Sequence, residues 1–266
     1  IRDYDSISKA VKNCQILFHL AALIGIPYSY VSPLAYIKTN IEGTYNILES
    51  AKNFNVEQTI ITSTSETYGS AQYIPMDEKH PLVGQSPYAA SKIAADQLAF
   101  SYYNSFDIPI KIIRPFNTFG PRQSERAIIP SIINQCLNDD NYINVGNLKP
   151  TRDFTYVSDT CDAFLELSKK ESLNGQVINV GNNIEISINN LLEKIMMLTS
   201  VKKEIRIENL RERPLKSEVD NLLCDNKKIL DLSSWKPRIT LEKGLLSTIK
   251  WFKDKNDFSK SNLYNI

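Results

Sequence analysis

Apolar residues along this chain follow two rhythms, short unbroken runs and stripes with a helical repeat. Ile16-Leu17-Phe18-His19-Leu20-Ala21-Ala22, within 15–22, is apolar on both faces of an extended chain, as a strand inside a parallel sheet should be. Residues 58–65 and 110–115 repeat that pattern, the second run ending in Pro115. Between the runs the spacing changes to the helical period. Ile7, Ala10 and Val11 stripe 6–13, and Tyr36, Ile37, Ile41, Tyr45, Ile47 and Leu48 mark a long helix over 33–54. A second long helix spans 87–106. From Arg122 the elements shorten, with helices expected near 127–138, 159–169, 187–199 and 240–254, and strands near 142–145, 176–180 and 204–208. Alternation of strand and helix predicts a parallel sheet covered by helices on both faces. The chain divides into 1–121 and 122–254, with some segments of the second returning to the sheet of the first. A polar tail, 255–266, is expected to fray.

Composition narrows the chemistry. The 266 residues include nine glycines, at 25, 43, 69, 84, 120, 146, 175, 181 and 244. Their wide spacing excludes both G-x-G-x-x-G and G-x-x-x-x-G-K, motifs whose clustered glycines let backbone N–H groups approach a phosphate. A net charge of +1 offers no basic stripe for nucleic acid, and no apolar run nears the roughly 18 residues that span a bilayer. Four cysteines at 14, 136, 161 and 224 form no C-x-x-C, so buried free thiols in a reducing, cytoplasmic setting are expected. With two histidines and no clustered ligands, no metal site is expected. The opening Ile1-Arg2-Asp3-Tyr4 has neither Met nor a signal-peptide pattern and reads as a chain entered within a domain. The strand at 16–22 would then be an exposed apolar edge. The expectation is that elements before Ile1 cover it and that this chain is no autonomous folding unit.

The candidate chemistry lies on the second long helix. Tyr88-Ala-Ala-Ser-Lys92 puts a phenol and an ammonium on one helical face, where the ammonium should favour the phenolate. Alone this spacing says little, because thirteen tyrosines among many lysines give about one chance match. Its context says more. Residues 59–64, Thr-Ile-Ile-Thr-Ser-Thr, run into Ser65-Glu66-Thr67-Tyr68-Gly69, placing hydroxyls and a carboxylate at the C-terminal edge of a parallel sheet, where such sheets bind ligands. Ala21 and Ala22 end the preceding strand at the same edge and leave room for a cofactor ring. His19 reads as a satisfied strand histidine. Taken singly, Ser63 to Ser65 would be a polar strand exit, Glu66 a solvated loop acid, and Arg152 or Arg213 a surface ion pair.

Together these residues resemble the extended short-chain dehydrogenases/reductases, specifically the NAD-dependent epimerase/dehydratase family. The similarity rests on HLAA (19–22), TNIEGTYN (39–46), STSETYG (63–69), SPYAASK (86–92), RPFNTFGPRQ (114–123) and TRDFTYVSDT (151–160). ALIGIPYSYVSP (22–33) and RPLKSEV (213–219) bring it closest to N-acetylglucosamine-type nucleotide-sugar 4,6-dehydratases. The resemblance implies a Rossmann-like doubly wound sheet lacking its first strands, plus a smaller C-terminal substrate-binding α/β region. The family's phosphate loop and ribose-selecting acid would precede Ile1.

By the same resemblance, Thr64 is the triad hydroxyl, Tyr88 the base, and Lys92 the residue that tunes Tyr88 and holds the nicotinamide ribose. Glu66 occupies the acidic position that marks dehydratases, while Ser65 stands where many of them carry Asp. Contacts to NAD are implied for Ala21, Ala22, Asn40, Thr62, Ser63, Tyr88, Lys92 and Pro115. Contacts to the substrate diphosphate are implied for Asn117, Arg152 and Arg213, with Asp153 a candidate to hold Arg152. The family's habit is a homodimer through helices 33–54 and 86–106. The implied activity is 4,6-dehydration of a nucleotide-diphosphate sugar. Alternatives are 4-epimerisation or an inactive or regulatory sugar-nucleotide-binding fragment.

Overall fold

The computed structural model describes residues 1–255, so the tail expected to fray lies, Lys255 apart, outside the described residues. In chain order the elements of the first half are α1 (Tyr4–Val11), β1 (Ile16–His19), α2 (Ile26–Val31), α3 (Pro33–Tyr36), a π-helical turn (Ile37–Glu42), α4 (Gly43–Asn53), β2 (Gln58–Thr62), α5 (Pro87–Phe106), β3 (Ile110–Pro115) and β4 (Asn117–Phe119). Then follow α6 (Ile128–Leu137), β5 (Tyr142–Val145), β6 (Thr151–Tyr156), α7 (Val157–Ser168), β7 (Val177–Val180), β8 (Glu185–Ser187), α8 (Ile188–Thr199), β9 (Glu204–Ile207), β10 (Asn221–Leu222), α9 (Lys227–Leu232) and α10 (Leu241–Lys255).

The first sheet is parallel, in the order β1-β2-β3-β7, with Ile61 beside His19 on one side and Ile112 on the other. Successive residues of a strand face opposite ways, and the core divides accordingly. Ile61 and Ile112 pack with Ile47 and Leu48 of α4 and Ala99 and Tyr102 of α5. Ile60 and Ile113 pack with Ala163, Phe164 and Leu167 of α7 and Ile229 of α9. Helices therefore cover both faces, the doubly wound arrangement expected from the alternating pattern. β1 pairs with β2 alone among the described residues, and Ile16 on it is 47% exposed. The apolar run past His19 leaves the sheet where its partner strand ends, so Leu20 stands 64% exposed and is no part of a strand.

A second sheet, β10-β6-β4 with β8 antiparallel on β6, and a β5–β9 pair make up most of the C-terminal half. Its core joins α6, α8 and α10 through Ile132, Ile133, Leu191, Ile195, Leu245 and Phe252. Gly244 lets α10 lie against this sheet, since a Cβ there would stand 2.6 Å from the Phe119 ring. β7 returns from this half to complete the first sheet.

Two expectations are corrected. The helix over 33–54 is helical throughout but contains the π turn, whose extra residue turns Asn40 into the interior. Of the four cysteines, Cys136 and Cys224 are buried, but Cys14 and Cys161 are exposed. Cys14 falls in the turn between α1 and β1, and Cys161 lies on the exposed side of α7. Among the described residues no helix is long and apolar enough to cross a membrane, and no cluster of metal-binding side chains occurs.

Candidate active site

Three elements converge at the C-terminal edge of the first sheet. β2 stops at Thr62, short of the expected Ser65, because the chain turns off the sheet into a 3-10 turn at Ser65–Tyr68. Thr64 starts that turn in an extended conformation, its Oγ1 accepting the Glu66 N–H at 3.3 Å. A short hydroxyl residue suits this position because it satisfies a donor that the turn leaves open. Glu66 is thereby fixed two residues beyond Thr64, its side chain 12% exposed.

The opening of α5 faces this turn. Ser86 Oγ accepts the Ala89 N–H at 3.1 Å and Pro87 takes the first turn, so the helix starts where its sequence says it must. Tyr88 and Lys92 follow one turn apart, both buried. The Thr64 side chain acts on the Tyr88 hydroxyl, and the Tyr36 ring meets that of Tyr88 edge-on at 6.2 Å. Lys92 Nζ donates to the Thr62 carbonyl at 2.5 Å. The expected lowering of the phenol's pKa by the ammonium is absent. Burial pushes Tyr88 well above the usual phenol range, the Thr64 side chain offsets part of this, and the charge of Glu66 adds to it. Burial also lowers Lys92, against the pull of Asp96 one turn on.

Beneath the site runs a buried network that the sequence did not reveal. Asp96 Oδ2 accepts from Ser63 Oγ at 2.7 Å and from Arg114 Nη2 at 2.8 Å. Arg114 Nη1 donates to the Tyr68 hydroxyl at 3.1 Å, which donates to Asn179 Oδ1 at 2.7 Å. This network ties β2, β3 and β7 to α5 and to the turn that bears Glu66. The Ser63 hydroxyl is directed into it and away from the sheet edge. An acid one turn after Lys92, with an arginine at the end of the next strand, was the available signal.

The remaining cofactor candidates lie around the same edge. Asn40 is buried with its amide engaged: Oδ1 accepts the Leu23 N–H at 2.8 Å, and Nδ2 donates to the Leu23 carbonyl and Ser91 Oγ, each at 2.9 Å. It therefore pins the loop after β1 to α5. Ala21 is exposed, and Ala22 and Pro115 are half-buried. Thr62 Oγ1 is buried without a hydrogen-bond partner.

Around the residues expected to contact substrate, four charges alternate. Arg213 Nη1 lies 3.5 Å from Glu66 Oε1 and 3.9 Å from Glu218 Oε1, and Arg152 Nη2 lies 3.4 Å from the same Glu218 oxygen. Arg152 is fixed further by donating to the carbonyls of Thr151, at 2.8 Å, and Asp220, at 3.3 Å. Asp153 does not hold it, because neighbours in strand β6 face opposite ways. Asp153 instead accepts the backbone N–H groups of Asn182 and Asn183, at 2.9 and 2.8 Å. Asn117, at the start of β4, stands apart from the four charges with its Oδ1 buried and unpartnered. Glu218 was overlooked because a lone acid in a polar loop carries no pattern.

The family model described as GDP-mannose 4,6 dehydratase matches residues 1–248. A putative UDP-glucose 4-epimerase of Methanocaldococcus jannaschii is 32% identical over 263 residues, 96% of this chain and 83% of that protein. Human dTDP-D-glucose 4,6-dehydratase is 30% identical over 244 residues, 90% of this chain and 69% of that protein. The crystal structure of a UDP-glucuronic acid 4-epimerase variant from Bacillus cereus, with NAD and a fluorinated UDP-glucuronic acid, superposes with a TM-score of 0.88 at 26% identity. It covers 95% of this chain and 80% of that one. The chain belongs to the NAD-dependent epimerase/dehydratase family of extended short-chain dehydrogenases/reductases, enzymes that act on nucleotide sugars.

Proposed function

We propose that this protein is an NAD-dependent nucleotide-sugar 4,6-dehydratase, which oxidises C4, removes water across C5 and C6, and reduces C6. The observation that carries the reading is Glu66, a carboxylate set two residues beyond Thr64, acting on Tyr88 and paired with Arg213. An epimerase needs no such acid–base group beside the triad.

The residues at the sheet edge suit the ribose and nicotinamide end of NAD. Thr62 Oγ1 is an orphan polar atom there, Lys92 is an ammonium close by, and small residues at Ala21 and Ala22 leave the edge open. When bound, NAD supplies the hydride acceptor for C4 and the hydride donor for C6. The protein's own groups move the protons. Tyr88 takes the proton of the O4 hydroxyl, with Thr64 orienting its phenol oxygen. The C4 ketone acidifies the C5 proton, which the Glu66 carboxylate removes. Glu66, or Ser65 as a relay, gives a proton to the departing C6 hydroxyl, and as hydride reaches C6 the proton that Tyr88 took from O4 is passed back to C5. Arg152 and Arg213 present guanidinium forks to the diphosphate, and Asn117 supplies a further polar contact.

Glu66→Gln should abolish formation of a 4-keto-6-deoxy sugar while leaving reduction of bound NAD by substrate intact. Unchanged product formation, followed by mass spectrometry, would remove Glu66 from this role. The second reading, a 4-epimerase, is favoured by the 32% identity to the archaeal protein, and the same assay separates the two because epimerisation leaves C6 untouched. We assign cofactor binding and catalysis mainly to 1–121 and sugar-nucleotide binding mainly to 122–254. The reading includes a homodimer through 33–54 and 86–106, where Tyr45 and Ile37 are exposed, and a cytoplasmic setting that keeps the four free thiols reduced.

A further inference from the structure

Glu218 occupies an unusual place for a carboxylate in a site meant for an anion. Its Oε1 is the point on which Arg152 and Arg213 converge, at 3.4 and 3.9 Å, whereas Glu66 meets only Arg213 within 4 Å. The four side chains are between 7% and 24% exposed, so solvent screens them weakly. Two guanidiniums and two carboxylates sum to zero. The positions are held from outside the cluster. Arg152 is anchored on backbone carbonyls, and Ser217 beside Glu218 lies 2.6 Å from the Tyr30 hydroxyl and donates to the Gln85 carbonyl at 2.7 Å.

A diphosphate diester entering this frame brings two negative charges to the forks that Glu218 now shares. The cluster would then carry a net charge of −2, with Glu218 nearest the added charge. Like charges at such distances favour protonation of the carboxylate. A protonated Glu218 keeps its geometry. Oε1 can still accept the Val219 N–H at 3.1 Å, and Oε2 carries the proton. Protonating Glu66 instead would cost the base that removes the C5 proton.

We propose that diphosphate binding is coupled to uptake of one solvent proton by Glu218, which releases Arg152 and Arg213 to the ligand and leaves Glu66 charged for catalysis. This rests on the reading of the two arginines as the diphosphate site. The other groups acting on the cluster are the Tyr88 phenol, facing Glu66 from α5, and the Tyr30 phenol, facing Arg213 from α2.

The test is calorimetric titration of the full NAD-loaded chain, made inert by Tyr88→Phe, with UDP-glucose, dTDP-glucose and GDP-mannose. Their diphosphate diesters do not titrate near neutrality. Each titration is run in two buffers of different ionisation enthalpy. Below neutrality the expected result is net proton uptake on binding, with affinity falling up to about tenfold per pH unit on the alkaline side. Uptake should persist in Glu66→Gln and vanish in Glu218→Gln, whose affinity should exceed the parent's at pH 8 and vary little with pH. Binding without uptake, uptake that survives Glu218→Gln, or weaker binding by that variant at pH 8 would overturn the proposal while leaving the dehydratase reading in place. Failure of all three ligands to bind would instead overturn the reading on which it rests.

Discussion

His19 shares an edge with the candidate catalytic groups yet is committed to the fold. Thr44 Oγ1 donates to the Asn40 carbonyl at 2.6 Å, so it must accept from His19 Nε2–H at 3.0 Å. Burial, aided by the charge of Lys92, holds His19 down to about 3. An unfolded imidazole takes its proton near pH 6.5, so between these values the unfolded chain binds more protons and acid favours it. Stability should fall as pH drops below about 6.5, by about 2 kcal/mol at pH 5 from this residue alone. Urea midpoints at pH 5 and 7 would measure the slope, and His19→Asn should flatten it. At this scale the sequence identified Thr64, Glu66, Tyr88 and Lys92 as a set because motif spacing survives without a fold. It missed Glu218, Asp96 and the true partners of Arg152, because those contacts join residues far apart in the chain or depend on which way a strand side chain faces.

Helix α5 illustrates what local chemistry can fix. Its bounds were legible from Ser86-Pro87 at the start and from the change to a strand pattern after Phe106. Ser86→Ala should remove the cap, lowering global stability by about 1 kcal/mol, and should also loosen the turn that holds Tyr88. Urea unfolding measures the first effect and hydrogen exchange at Ala89 the second. Unchanged exchange there would show that tertiary packing alone holds the helix start. Elements of fewer than two full periods were not legible. Neither the six residues of α2 and α9 nor the two or three of β4, β8 and β10 repeat often enough to show a face. β6 has six residues, but Arg152 interrupts Phe154 and Tyr156 on one side and Thr151, Asp153 and Thr155 leave the other without an apolar residue, because one face serves the candidate site and the other a buried backbone bend. The π turn escaped for a different reason: one extra residue shifts the stripe without interrupting it.

At the scale of the whole molecule, alternation of strand and helix announced a covered parallel sheet. The return of β7 to that sheet could be expected only in general terms, since strand order depends on pairing between distant segments. The site is likewise assembled from both halves. Glu66 and Tyr88 come from the first, Arg152, Arg213 and Glu218 from the second. The loop bearing the last two is secured where the Ser217 hydroxyl meets Tyr30 and Gln85, a few half-exposed polar bonds beside a core of fully buried isoleucines. Bonds of that kind open locally at far lower cost than a sheet unfolds. Low urea should therefore abolish capture of nucleotide sugar while the far-UV circular dichroism is still native, and coincident loss of the two would show the halves to be one cooperative unit. Where that fastening opens first, recognition of the proposed ligand is the first property this protein loses under stress.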